Sequence, residues 1–508
     1  MTGDKDYLSF LDPLRRYVPL AAWTIVVLTV LLVPLKIISL DYLPEDDALR
    51  HAAKAVSGKP WSEILVLSPV YKMDHEFGWN LLLAKIHQWG NWDAENLVLF
   101  SVVSLFVLVN VAGLAWLKRP EAWLVTLLAT IILSVIPQRF MLGRPYLITL
   151  AALLMVLFLW RKQRGAPPQK SSLLVLVVLT AISVFFHGAW YLWVLPIAAF
   201  FLAGEFIWGI ALGVSWVIGV VIGSTLTGHP LEYPIQALQL AFLATGAHET
   251  QRTMAIELQP FNGDYLALSA VGGLLVLRTL AKLNSIPFSR DPAFWLACMC
   301  WVLGFKVGRF WDDWGWPALM VLISSDLALL FESRFEFDSI KRLGLVCAIA
   351  LATYLGITCD FGSRWTSSQT TQYLTADNPD LQGWMPDKGG IFYTVDMSLF
   401  YQTFFKNPTA DWRYMLGFEP TWMPKEDFKI YHSILWNFND GKAYQPWIHQ
   451  MTQADRVAVR GAGNGTPAIE GLDWKYAVSG IWLGRLPRTN ETENATETNS
   501  FTSPPSSK

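Results

Sequence analysis

The sequence predicts an all-α polytopic membrane protein of about eleven transmembrane helices. A small C-terminal extracytoplasmic domain, α+β or irregular, is expected to follow them. Three observations carry this. Long windows such as Trp23–Leu35 and Leu97–Trp116 hold no charge, and a bilayer-spanning helix needs about 20 such residues. Lys and Arg gather in alternate loops between the apolar runs. Beyond residue 360 the long apolar runs stop, and Trp, Tyr, Pro and Gly become frequent.

The expected membrane helices are 18–40, 96–117, 122–136, 146–160, 172–186, 190–203, 206–227, 264–281, 293–308, 316–331 and 343–359. The first has polar residues ahead of it and no small-residue cleavage site after it, so a retained helix is expected rather than a signal peptide. Cytoplasmic loops are the ones enriched in Lys and Arg. With the N-terminus cytoplasmic, Arg15, Arg16, Lys118, Arg119, Arg161, Lys162, Arg164, Lys170, Lys282, Arg290, Arg334, Lys341 and Arg342 all fall inside. Loops 41–95, 137–145, 228–263 and 309–315, the break at His187, and the tail then fall outside. The domains expected are 1–360 in the membrane, with its large first outer loop, 361–487 outside it, and a disordered tail over 488–508. "GGIFYTVDMSLFYQTFF" and "YAVSGIWLGRLP" in the tail are too short to assign to strand or helix.

Composition excludes some classes. The net charge is −2, so nothing points to nucleic acid. Cys298, Cys300, Cys347 and Cys359 lie in or beside apolar runs without zinc-type spacing, and are expected as buried small apolar side chains. Asn464, Asn490 and Asn494 begin short N-x-[ST] sequons of a kind that chance often produces.

Charge on the outer loops is the informative part. After Pro44, "EDDALRHAAKAV" reads as a helix start. Asp46 and Asp47 lie four and three residues before Arg50, so all three share a face, with His51 beside them. Ordinary helix-dipole compensation would account for acids there. Their position just past a membrane helix also suits a lipid-facing cavity. "YKMDHEFGW" clusters Lys72, Asp74 and His75 in the same loop, either as a solvated stretch or as a second substrate-contacting group. Arg144 in "MLGRPYL" sits at a helix start, to snorkel to headgroups or to hold a phosphate with its planar fork. His187 interrupts "FFHGAWYLW", and ionisable groups at membrane depth usually face a cavity. In "FKVGRFWDDWGW", Arg309 either pairs locally with Asp312 and Asp313 or offers a cation to phosphate beside acids and aromatic faces for sugar. Carboxylates can act as bases for a hydroxyl, and cations can stabilise a leaving phosphate. Together they point to group transfer from a lipid phosphate. A transporter or lipid-linked glycan flippase is the alternative, though no repeated halves are visible. A non-catalytic scaffold is a third class.

"EDDALRHAAKAVSGKPW" after the first membrane helix resembles the first outer loop of the GT-C glycosyltransferases. These include protein O-mannosyltransferases, aminoarabinose transferases that modify lipid A, and the catalytic subunits of oligosaccharyltransferases. "GRPYLIT" and "HGAWYLWVLP" are similar to segments of bacterial members. The resemblance spans roughly residues 15–360 and implies a membrane enzyme using a polyprenyl-phosphate-linked sugar donor, with a glycan, lipid or protein as acceptor. It matches Asp46 to the catalytic first-loop acid and Asp47 to the second acid of the pair. It sets Arg144 toward the donor phosphate with His187 near it, and the charge reading adds Arg309 or Lys72 as a further cation for that phosphate. It also implies a bacterial inner membrane. Metal-dependent members carry further acids after the third helix, where "PQRFMLGRP" has none. A divalent Mg or Mn ion would then fall to Asp41, Glu45 or Asp74.

Overall fold

The computed structural model describes residues 15–69, 71, 73–133, 136–246, 259–261, 263, 265–461, 465–478 and 480–488. Lys72, the three sequon asparagines and the segment from 489 onward lie outside them. By contact the chain forms two compact units. One comprises the residues up to Pro44 and Met73–Thr370; the other comprises Glu45–Lys72 and the residues from Thr371.

The first unit is helical. Its main elements are α1 (Val18–Ile38), α3 (Phe77–Gly90), α4 (Ala94–Leu114), α5 (Glu121–Leu133), α6 (Ile136–Phe140), α7 (Tyr146–Gln163), α8 (Lys170–Phe186), α9 (Val194–Leu202), α10 (Phe206–Leu226), α11 (Glu232–Gly246), α12 (Tyr265–Leu280), α13 (Pro292–Gly304), α14 (Trp316–Arg334) and α15 (Ile340–Thr358). Six helical stretches among the described residues are long and apolar enough to cross a membrane: Arg15–Ile38, Ala94–Leu114, Tyr146–Gln163, Phe206–Leu226, Gly308–Arg334 and Ile340–Thr358. Helices of this kind make the chain a membrane protein. Among the described residues the long apolar helices are therefore fewer than the expected eleven, because there α5, α8, α9, α12 and α13 offer apolar runs of only 10–17 residues.

Burial ranks the helices. In α7, 78% of the apolar window is buried, against 28% in α15, so α7 is central and α15 peripheral. The tightest pairing joins α8 to α10. Gly219 and Gly223 stand four apart on α10. A Cβ on Gly219 would collide with Thr180, and one on Gly223 would come within 2.8 Å of the Ala181 carbonyl. Small residues at this spacing let membrane helices approach closely. The Thr180 hydroxyl donates across to the Ser215 carbonyl at 3.0 Å. Three Arg–carboxylate pairs tie other helices: Arg342 to Glu121 at 2.8 Å, both fully buried, Arg278 to Asp326 at 2.6 Å, and Arg161 to Asp291. Cys300 is buried as expected, whereas Cys298 is half-buried and Cys347 and Cys359 are exposed. Cys347 lies on α15 and Cys359 caps its end, and only 28% of that helix's apolar window is buried.

The second unit is α+β. It contains α2 (Asp47–Ser57), α16 (Met397–Lys406) and α17 (Lys425–Trp436), with β1 (Ile391–Tyr393), β2 (Arg413–Tyr414), β3 (Arg456–Arg460), β4 (Asp473–Tyr476) and β5 (Ile481–Arg485). The strands form one sheet in the order β2-β1-β3-β5-β4. β1 runs parallel to β2 and β3, while β5 is antiparallel to β3 and β4. Tyr393, Trp447, Val457 and Ile434 belong to its core.

Part of the first loop is built into this unit. Leu65 bridges in parallel to Tyr414, and the Val66 amide donates to the Tyr414 carbonyl at 2.9 Å. Lys59 pairs with Asp411 at 3.1 Å, and Trp61 packs on Phe418 with ring centroids 4.9 Å apart. The sequence kept the whole of loop 41–95 with the membrane helices; Glu45–Lys72 instead fold with the C-terminal residues.

Candidate active site

In the second unit, Asp46 is the N-cap of α2. Its backbone is extended, and its carboxylate accepts the Asp47 amide at 2.6 Å. Gly58 ends the helix in the left-handed conformation that glycine tolerates best. Asp47 pairs with Arg50 Nε at 2.7 Å. Arg50 is only 2% exposed, and its guanidinium carbon lies 3.7 Å from the ring centroid of Phe418. The i,i+3 pairing therefore joins Arg50 to the second acid. His51, on the same helix, is fully buried.

In the first unit, the loop before α3 and the break after α8 meet. Asp74 accepts the Glu76 amide at 3.0 Å and the Asn80 side-chain amide at 2.5 Å. The Gly188 amide donates to the His75 carbonyl at 3.0 Å, and the Tyr233 hydroxyl donates to the same carbonyl at 2.7 Å. A Cβ on Gly188 would sit 3.0 Å from that carbonyl oxygen, so the glycine permits the approach. Gln236 donates to the Met73 carbonyl at 3.0 Å. Tyr233 and Gln236 sit on α11 among ordinary helix-forming residues, and no sequence signal singled them out.

His187 caps the end of α8, with Nδ1 3.3 Å from the Thr149 hydroxyl of α7. It is half-buried by surface area but closely surrounded by protein. That desolvation, with the Arg309 charge nearby, holds its imidazole down at about 4. It is therefore a neutral hydrogen-bonding group at physiological pH. Asp313, Glu76 and His75 are near enough to influence it too. His75 and Glu76 of the first loop and the Arg309–Asp313 pair thus share one neighbourhood around His187 in this unit.

Residues 309–315 were expected as a loop between spans, and they are helical. Gly308–Phe310 is α-helical, Trp311–Gly315 is a π turn, and α14 continues from it. The π turn is closed by the Trp316 amide on the Trp311 carbonyl. Similarly, loop 137–145 contains the helical turn α6. Asp313 takes Arg309 Nε at 2.8 Å on one oxygen and Arg139 Nη2 on the other. Arg139 Nη1 lies 3.6 Å from Asp312. Arg139 was not singled out in the sequence; it stands beside Pro137 in an apolar context that reads as a helix end. Arg144 is half-buried in the turn ahead of α7, two residues before Tyr146, whose hydroxyl donates to the Arg139 carbonyl at 3.0 Å. Among the described residues no three His, Cys, Asp or Glu side chains gather as metal ligands would.

No family model matches the chain, and no curated protein matches it. Among solved structures, it is similar to an oligosaccharyltransferase from Archaeoglobus fulgidus in the apo form, at 12% identity and a TM-score of 0.48. The alignment covers 89% of this chain and 70% of that one. A likeness that distant assigns neither an activity nor a substrate.

Proposed function

We propose that this membrane protein is a GT-C-type glycosyltransferase. It moves a sugar from a polyprenyl-phosphate-linked donor to a hydroxyl of a glycan, lipid or protein acceptor. The observation that carries the reading is the grouping of Arg139, Arg309, His187, Asp74 and His75 within the helical unit, among apolar helices of membrane-spanning length. Cations and hydrogen-bond donors among such helices suit a lipid phosphate.

In this reading the acceptor oxygen attacks the anomeric carbon. A C–O bond forms there, the bond to the donor phosphate breaks, and the configuration inverts. Asp46 takes the hydroxyl proton, and the leaving electron pair stays on the phosphate oxygen. Arg144, with Arg309 or Lys72, stabilises that charge, and neutral His187 adds a hydrogen bond. Asp74, His75 and Asp312 are the residues assigned to sugar and acceptor. Asp47 holds Arg50, and buried His51 supports the same helix. The membrane would be a bacterial inner membrane, with the N-terminus cytoplasmic and the C-terminal domain outside.

The test is transfer from a panel of polyprenyl-phosphate hexoses by the purified protein in nanodiscs. Asp46→Asn is expected to lower turnover by at least about a hundredfold while the protein stays monodisperse, in the range of a lost general base. Full turnover by that variant removes Asp46 from the mechanism.

A further inference from the structure

Asp313 sits in a rigid setting. Trp311, Trp314 and Trp316 around it are each no more than 4% exposed. Trp314 meets Trp193 edge to face at 5.7 Å. Gly315 lies under the Trp311 ring, and a Cβ there would collide with that ring and come within 3.0 Å of Cys300 Cβ. The π turn is therefore built around a glycine that no other residue replaces without movement. Such turns insert one extra residue into a helix and recur at functional sites.

The turn sets one carboxylate between two guanidiniums from separate elements. Asp313 is 7% exposed, with one oxygen on Arg309 and the other on Arg139. Arg139 is itself held: Tyr146 donates to its carbonyl, and its guanidinium carbon lies 5.3 Å from the Tyr146 ring centroid. Arg309 is the accessible member at 31% exposed, against 12% for Arg139. A buried carboxylate with both oxygens engaged is poorly placed to touch substrate. It is well placed to fix the orientation of a planar fork that would meet a phosphate.

We propose that Asp313 is a positioning residue that holds Arg309, backed by Arg139, in the orientation that receives the phosphate of a polyprenyl-phosphate lipid. This rests on the glycosyltransferase reading for the ligand class. It reassigns Asp313 from sugar contact to support and adds Arg139 to the phosphate-binding group.

The discriminating measurement is the affinity of the full-length protein in nanodiscs for a bare polyprenyl monophosphate. On charge alone, Asp313→Asn removes a negative group from beside an anion and should tighten binding. Positioning demands the reverse: Asp313→Asn weakens binding about tenfold or more, and Asp313→Glu recovers part of it. A sugar-contact role leaves binding of the bare phosphate unchanged. Unchanged or tighter binding by Asp313→Asn overturns the inference. If that variant is not monodisperse, Arg309→Lys takes its place. It keeps the charge but loses the fork, and wild-type affinity in it overturns the inference equally. Wild-type protein that does not bind the probe removes the glycosyltransferase reading, and this inference with it. Wild-type binding with undiminished variants removes this inference alone.

Discussion

At Asp47 a carboxylate neutralises a guanidinium that is 2% exposed; at Asp46 a carboxylate caps a helix. Removing either has different physics. Asp47→Ala leaves Arg50 buried without that partner, and a loss of about 3 kcal/mol is expected. Asp46→Ala removes a cap and costs about 1 kcal/mol. Thermal melting of the two variants checks this, and a larger loss in Asp46→Ala would reverse the assignment. The spacing made a pairing of Arg50 with the acids ahead of it visible in the sequence, and the structure shows it at Asp47. The packing of Arg50 against Phe418, which is distant in the chain, had no local signal. His187 offers a second check. Its folded imidazole titrates at about 4, below the roughly 6.5 of an unfolded histidine. The unfolded state therefore binds more protons between these values, and the histidine's contribution to stability, complete above about 6.5, falls away as pH drops toward 4. The melting temperature of the wild type is expected to fall more steeply over that window than that of His187→Asn. Equal slopes would show that His187 is not the desolvated group.

Among elements, the pairing of α8 with α10 depends on Gly219 and Gly223. Gly219→Val is expected to force the helices apart against Thr180 and lower the melting temperature in detergent, whereas Gly213→Ala, whose added Cβ would meet only Ile197 at 3.9 Å, is expected to leave it near wild type. Equal behaviour of the two would contradict close packing at Gly219. The long apolar helices were legible because hydropathy alone marks them. The π turn was not. "RFWDDWG" has the charge and glycine of a loop, but in the fold it is helical, with Trp311, Trp314 and Trp316 buried around it. The β1 and α16 segments were equally ambiguous, because a strand of three residues has no readable period.

Across the whole chain, the first loop shows where sequence reading stops. Its charges were visible, but the bridge from Leu65 to Tyr414 joins residues hundreds of positions apart and has no local signature. Hydrogen exchange is expected to protect the Val66 amide as strongly as the sheet amides of β3, since both are paired in one unit. Rapid exchange at Val66 would contradict that folding. The chemistry of the charged groups was legible as residue types, and partly as neighbours: Arg309 with Asp313 by spacing, but not Arg139. In the proposed activity the protein takes a sugar from a polyprenyl phosphate and passes it to an acceptor. Its most direct test is mass spectrometry of the lipid fraction after incubating nanodisc-embedded protein with polyprenyl-phosphate hexoses and a mixed glycan, lipid and peptide acceptor pool. Free polyprenyl phosphate is expected to accumulate with a matching hexose gain on an acceptor, both lost in Asp46→Asn. Intact donor lipid with the active-site residues unaltered would contradict it.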